Sequence, residues 1–187
     1  VLPTARQAVH HVLVFAEEEG VESKGRLAQR AERLRDRSGF FAAYVPGGEA
    51  ASFPDGFARK LPANSTLHFQ LHYTPTGEAT TDRTRIGLRF AKGEPRHEVK
   101  VAAITHARIN IPAGDPDHAE TASIPVPVEA VITGFMPHMH LRGKSFEYVW
   151  EKPGGERQTL LTVPRWDFNW QMPYRLKEPI TLARGSS

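Results

Sequence analysis

Residues 9–15 have the sequence VHHVLVF, an apolar and β-branched run that predicts a buried β-strand. Two histidines lie inside this run. A buried imidazole needs a polar partner, and a metal ion is one such partner. Neighbouring strand residues point to opposite faces, so His10 and His11 could share one metal only if the backbone twists or the rings use different nitrogens. The stretch therefore predicts a buried strand that carries a candidate metal site.

The composition of the chain favours β-structure. Its 187 residues include 15 glycines and 15 prolines, which favour turns and short strands over long helices. The 24 basic and 21 acidic residues are interspersed and form no basic stripe for nucleic acid. The chain contains no cysteine, so any metal ligands must be His, Met or carboxylates. No apolar run approaches the about 20 residues of a membrane span, and we expect no span in this chain.

The order of apolar and turn-forming segments predicts several short strands. Charged residues fill positions 17–37, which predicts a short exposed helix or a solvated loop. Apolar stretches separated by turns predict about four strands from residue 39 to residue 90, and two or three more over residues 129–166. Residues 101–128 predict a strand, a turn and an extended piece, with the best domain boundary at residues 111–119. We therefore predict an all-β protein with one β-sandwich or two in tandem.

The strand predicted at residues 66–74, TLHFQLHYT, supplies a third histidine. One face of this strand is polar and presents Gln70 and His72. His68 lies on the same face and could form a hydrogen bond to a metal ligand there without binding the metal itself. His72 is therefore the candidate third ligand beside His10 and His11, and three imidazoles suit copper or zinc. The apolar side chains of this strand alternate with the polar ones and should form one buried face: Leu67, Phe69, Leu71 and Tyr73.

A second pair, His138 and His140, is separated by one residue in GFMPHMHLRG. On a strand, both imidazoles would point to the same face, close enough to share one metal. The alternative is two solvated side chains on an exposed face. Among the other histidines, His97 and His118 lie in polar turns and are expected at the surface, and His106 gives no signal.

Three motifs, VHHVLVF, FQLHYTPTG and HMHLRGK, resemble in this order those of the copper type II, ascorbate-dependent monooxygenases, which hydroxylate peptidylglycine and dopamine. The resemblance extends to WDFNWQ, which bacterial relatives share. It implies two tandem jelly-roll-like β-sandwich domains, residues 1–110 and 111–187, each with one mononuclear copper. The implied ligands of an electron-transfer copper are His10, His11 and His72, with Gln70 beside them. His138 and His140 would supply two ligands of the catalytic copper.

The sequence departs from the family at the catalytic site. The family's third ligand there is a methionine in an acidic-residue-then-Met motif downstream of H-x-H, and no such motif occurs before Ser187. We expect Met172, the only methionine after Met139, to pack in the core rather than to bind copper. We therefore expect a fragment, incomplete at both ends. Met136 stands where the peptide-hydroxylating members have an arginine for the substrate carboxylate, and the disulfides of the animal enzymes have no counterpart.

The resemblance implies a copper-dependent monooxygenase, an extracytoplasmic oxidoreductase that is periplasmic or secreted. It would hydroxylate a C–H bond of a small-molecule or peptide substrate with O2 and an external reductant such as ascorbate. Two other functions stay open. One is a non-catalytic copper-binding or electron-transfer module, and the other is a zinc-dependent hydrolase that adds a carboxylate such as Asp167 or Glu147 to the second histidine pair. A lectin-like or adhesion β-sandwich would leave the histidines unexplained.

Overall fold

The computed structural model describes residues 1–17, 39–106 and 108–187, and all regular secondary structure in these ranges is β-strand. The all-β prediction is therefore confirmed. The helix or loop predicted for residues 17–37 lies, apart from Glu17, outside the described residues. The strands are β1 (Val9–Glu17), β2 (Phe40–Tyr44), β3 (Phe57–Ala58), β4 (Thr66–Tyr73), β5 (His97–Glu98), β6 (Ala130–Phe135), β7 (Phe146–Glu151), β8 (Arg157–Val163) and β9 (Tyr174–Leu182).

The chain divides into two compact units, Val1–Ala103 and Ile104–Ser187. The first unit contains β1 to β5, and the second contains β6 to β9. The predicted division, after residue 110, lies a few residues beyond the observed division, which follows Ala103. Over the described ranges, no helix has the length and apolar character needed to cross a membrane.

The first unit is built around β1, the central strand of an antiparallel sheet with the order β2-β1-β4. Both edges of β1 are paired, so most of its backbone polar groups are satisfied and the strand can carry a largely apolar sequence. The core consists of Val9, Val12 and Val14, which are at most 1% exposed. Leu67 and Leu71 of β4 pack against these valines, as the alternation in the sequence predicts.

A β-bulge interrupts the pairing of β1 with β4 at His10. Val9 pairs with Tyr73 and His11 pairs with His72, so two steps along β1 correspond to one step along β4. His10 is therefore the extra residue of the bulge. The buried valines record the same shift, because Val12 follows Val9 after three residues, whereas Val14 follows Val12 after two.

The buried face predicted along the whole of β4 and the strand predicted within residues 101–128 are not observed. Phe69 and Tyr73 are 36% and 55% exposed, because the small valine core covers the part of β4 that carries its leucines and does not extend over these aromatic rings. Residues 101–128, apart from the undescribed residue 107, contain no strand. Pro125 and Pro127 cannot donate to a ladder, and Val126 between them makes isolated backbone hydrogen bonds to residues 185 and 186.

The second unit contains two antiparallel strand pairs, β6 with β9 and β7 with β8. A Pro-Gly-Gly turn at residues 153–155 joins β7 to β8. Phe135 at the end of β6 lies against Tyr148 of β7, with ring centres 4.5 Å apart, and burial raises the pKa of Tyr148 to about 12. This aromatic contact packs one strand pair on the other.

The pairing of β6 with β9 depends on Gly134, which faces Arg175. A Cβ at Gly134 would lie 2.5 Å from the carbonyl oxygen of Tyr174, closer than any two such atoms can approach. The absence of a side chain therefore lets the two backbones meet at this point. The chain leaves β6 one residue later and runs directly into the segment that carries His138 and His140.

Candidate metal centres

The bulge at His10 brings two adjacent histidines to one face of the sheet. In a regular strand, His10 and His11 would point to opposite faces, and one of them would enter the valine core. The extra residue shifts the alternation so that Val9 and Val12 both point into the core while His10 and His11 both lie outside it, half-buried. The bulge is therefore the kind of backbone irregularity that adjacent strand residues need if both are to bind one metal.

Three imidazoles are in contact on this face. The Nδ1 atoms of His10 and His11 are 2.9 Å apart, which is a hydrogen bond if one of them carries a proton. His72 pairs with His11 across the two strands, so its side chain lies on the same face. The ring centres of His11 and His72 are 4.0 Å apart with their planes tilted by 35°, so the third ring overlaps the second rather than meeting it end-on.

The pairing of β1 with β4 also shows which polar residues lie next to this cluster. Gln70 pairs with Leu13, two residues from the His11–His72 pair, and lies on the histidine face, as predicted. His68 lies two residues further along β4, about 13 Å from His72 at the usual strand rise, and its Nε2 is 2.7 Å from Oε2 of Glu17. Its observed partner is therefore a carboxylate at the end of β1.

His138 and His140 lie in an irregular segment after β6, so the strand predicted for this pair is wrong. Pro137, which is fully buried, precedes the pair, and its missing N–H excludes it from a ladder. The expected proximity is nevertheless present, because the two ring centres are 5.2 Å apart and the planes are nearly perpendicular, at 83°. Proximity here comes from the path of the loop rather than from strand alternation.

A turn directly after His140 supports this segment. The backbone N–H of Gly143 donates to the carbonyl of His140 over 2.9 Å. Trp166 lies on the other side of the turn, where its backbone N–H donates to the carbonyl of Lys144 over 2.8 Å. A Cβ at Gly143 would lie 2.6 Å from Trp166 Cδ1 and 2.8 Å from Met139 Cβ, so the turn, the indole and the residue between the histidines pack together without spare room.

Gln171 is a contact that sequence reasoning missed. Its side chain is 6% exposed, and its Oε1 lies 2.5 Å from Nδ1 of His138. Gln171 ends the WDFNWQ stretch, but no local pattern could have identified its contact with His138, because the two residues are 33 positions apart in sequence. The adjacent Met172, the doubtful ligand, is half-buried. Met136 is 37% exposed at the start of the histidine segment.

The carboxylates proposed for a zinc site make local hydrogen bonds elsewhere. Asp167 accepts a hydrogen bond from the N–H of Asn169 over 2.8 Å, and Glu147 accepts one from the Thr159 hydroxyl over 3.0 Å. The other histidines also have partners. His97 stacks on Phe57 of the first unit with ring centres 4.5 Å apart.

A further group of histidines, separate from His138 and His140, lies around Glu120 in the second unit. Its carboxylate lies 3.0 Å from Nδ1 of His106 and 3.0 Å from Nε2 of His118, and Asp115 is 3.4 Å from the other nitrogen of His118. The hydrogen bond to Glu120 raises the pKa of His118, and the same bond lowers the pKa of Glu120. The surface position predicted for His118 is compatible with this ion-paired arrangement.

The donor set of the first cluster suits a borderline metal, since it consists of imidazoles without thiolate or carboxylate. As the side chains stand, no group of three or more His, Cys, Asp or Glu residues in the described part of the chain has the geometry to hold a metal ion. No protein-family model matches the chain, and neither a curated protein nor a solved structure matches it.

Proposed function

We propose that the protein is a copper-dependent monooxygenase that hydroxylates a C–H bond with O2 and an external reductant such as ascorbate. The observation that carries the proposal is the bulge at His10, which brings His10 and His11 to the same face as His72. A bulge costs a ladder hydrogen bond and bends the strand, so its position at the first of two adjacent histidines favours a role for both rings. The motif order in the sequence supports the same function.

The histidines form two sites with different roles. His10, His11 and His72 would hold an electron-transfer copper, and His138 and His140 would supply two ligands of a catalytic copper. When bound, copper would supply the one-electron redox chemistry by which electrons from ascorbate reach O2 and the substrate. Imidazole ligands tolerate this chemistry because, unlike thiolates, they are not themselves oxidised by it.

The architecture is part of the proposal. Each compact unit would be a jelly-roll-like β-sandwich with one copper site, and the protein would work outside the cytoplasm. In the second unit, the packing of Phe135 on Tyr148 supports a two-layer arrangement, since it stacks one strand pair on the other. In the first unit, the buried valines cover one face of the β2-β1-β4 sheet and leave the histidine face for the metal.

A non-catalytic copper-binding or electron-transfer module is the second candidate. The observation in its favour is the difference between the two sites, because three imidazoles meet at the first site and two at the second. Such a module would bind and release electrons at the His10 site without turning over a substrate.

Reduction by ascorbate distinguishes a redox-active copper protein from a zinc-dependent hydrolase. The chain is loaded with Cu(II), freed of excess metal and treated anaerobically with ascorbate while the Cu(II) electron paramagnetic resonance signal is recorded. We expect the signal to disappear and to return when O2 is admitted. A signal that resists ascorbate, or copper that equimolar Zn²⁺ displaces, would contradict a redox role.

Product analysis separates the monooxygenase from the electron-transfer module. With isotope-labelled O2, ascorbate and a panel of small amines and short peptides, the monooxygenase should insert one labelled oxygen atom into a product. The His140→Ala variant should lose this product while the His10 site still reacts with ascorbate. His97→Gln is the matched control, because His97 stacks on Phe57 and belongs to neither site.

A further inference from the structure

Gln171 is a buried amide with both of its polar atoms engaged. Its Nε2 donates a hydrogen bond to the carbonyl of Phe168 over 2.9 Å, and its Oε1 lies 2.5 Å from Nδ1 of His138. The side chain is 6% exposed, so water has little access to either contact. A buried amide in this situation is held in one orientation, because turning it over would set two acceptors or two donors against each other.

The orientation of this amide determines where His138 carries its proton. The Phe168 carbonyl can only accept, so it selects the NH2 group of Gln171 and leaves the amide oxygen facing the histidine. An amide oxygen has no hydrogen to donate, and a contact of 2.5 Å between two lone pairs would be repulsive. Nδ1 of His138 must therefore be the protonated nitrogen, and the lone pair of the neutral ring is on Nε2.

We infer that Gln171 is a positioning residue that holds His138 in the Nδ1–H tautomer and orients its ring, so that Nε2 is the nitrogen offered to a metal. This inference rests on the proposed function only for the identity of the metal. A hydrogen bond from the second ring nitrogen to an oxygen acceptor fixes the tautomer of a ligating histidine and increases its basicity. The amide oxygen does this without adding a negative charge beside the site.

The tautomer of His138 can be measured in the metal-free protein. Long-range proton–nitrogen spectra of the imidazoles distinguish a protonated Nδ1 from a protonated Nε2, and His138→Gln assigns the signal. We expect the Nδ1–H form in the wild type, and a shift toward the Nε2–H form in Gln171→Leu, which removes the acceptor. Gln171→Glu keeps an oxygen toward the ring and should keep the Nδ1–H form.

Copper affinity provides the second readout. In a His72→Ala background that disables the first site, Gln171→Leu should weaken Cu(II) binding at His138 and His140 about 10- to 100-fold, the usual effect of losing such a partner. Gln171→Glu should retain most of the affinity. Gln158→Leu, an exposed glutamine on β8, is the control for loss of an amide and should bind copper like the wild type.

The two readouts separate the inference from the proposed function. A wild-type His138 protonated on Nε2, or a tautomer that Gln171→Leu leaves unchanged while the variant remains folded by circular dichroism, overturns the role of Gln171. If Gln171→Leu does not fold, loss of the Nδ1–H form in Gln171→Glu overturns that role. An Nδ1–H tautomer with no copper bound at this pair in the His72→Ala protein supports the positioning role and overturns the proposed function.

Discussion

The turn after the second histidine pair has no room for a side chain at Gly143. The nearest atoms to a Cβ there are 2.6 Å away on Trp166 and 2.8 Å away on Met139, whereas ordinary contact begins at 3.4 Å. Gly143→Ala must therefore separate the turn from the indole by about 0.8 Å. Neither contact involves the end of a flexible chain, because the first is a ring carbon and the second is a Cβ.

The size of the effect follows from two opposed terms. Overpacking a well-filled site costs about 1–3 kcal/mol, and replacing a glycine recovers about 0.4–1 kcal/mol by restricting the unfolded chain. We expect Gly143→Ala to lower the free energy of unfolding of the second unit by about 1–2 kcal/mol, which is about 5–15 °C in Tm for a unit of this size. Because Met139 lies between His138 and His140, the displacement should also weaken copper binding there at least about tenfold, since metal sites tolerate errors of about 0.5 Å.

Calorimetry and copper titration together test this reasoning. The first site should keep its affinity in Gly143→Ala, because it belongs to the other compact unit. Gly87→Ala is the control, since a Cβ there would meet nothing within 4 Å, and it should be neutral or slightly stabilising. A Gly143→Ala protein with the same Tm and the same copper affinity as Gly87→Ala would refute the packing argument.

Three other substitutions probe separate parts of the account. Gly134→Ala places a Cβ against the backbone carbonyl of Tyr174 and should cost about 2 kcal/mol in calorimetry of the second unit; an unchanged Tm would show that the strands can separate freely. Val12→Ala removes two methyl groups from a fully buried position and should destabilise the first unit by about 2 kcal/mol in chemical denaturation, with a value under 0.5 kcal/mol contradicting the assigned core. The stabilisation from His118 is fully present below its ordinary pKa of 6.5 and is lost as pH rises through its raised pKa in the folded protein. The stabilisation from Glu120 is fully present above its ordinary pKa of 4.5 and is lost as pH falls through its lowered pKa in the folded protein. The Tm difference between the wild type and His118→Gln should thus be largest between pH 4.5 and pH 6.5 and shrink on both sides, whereas a constant difference would exclude this ion pair.

The strands that carry the first site could be predicted because each has a local signature. The β-branched run at residues 9–15 and the alternation at residues 66–74 both correspond to observed strands, and the register places His72 opposite His11. The bulge could not be predicted from alternation alone, because a two-residue period does not reveal where an extra residue enters. The spacing of Val9, Val12 and Val14 does record it, but the apolar Leu13 between the last two hides that signal.

The second site was harder to predict because it depends on contacts distant in sequence. The spacing of His138 and His140 predicts a strand, and the buried Pro137 shows why this segment does not join a ladder. Gln171 is the last residue of the WDFNWQ stretch, but nothing in that stretch indicates a contact with His138, which is 33 positions away in sequence. The assignment of either histidine group as a metal site stays a prediction.

A copper titration tests the central claim most directly. We expect two Cu(II) ions per chain, with one lost in His11→Ala, the other lost in His138→Ala, and both kept in His97→Gln. Equilibrium dialysis gives the number bound, and nitrogen hyperfine structure in the paramagnetic resonance spectrum shows whether imidazoles are the ligands. A stoichiometry that is unchanged by His11→Ala and His138→Ala, or bound copper without imidazole nitrogen, would contradict the account.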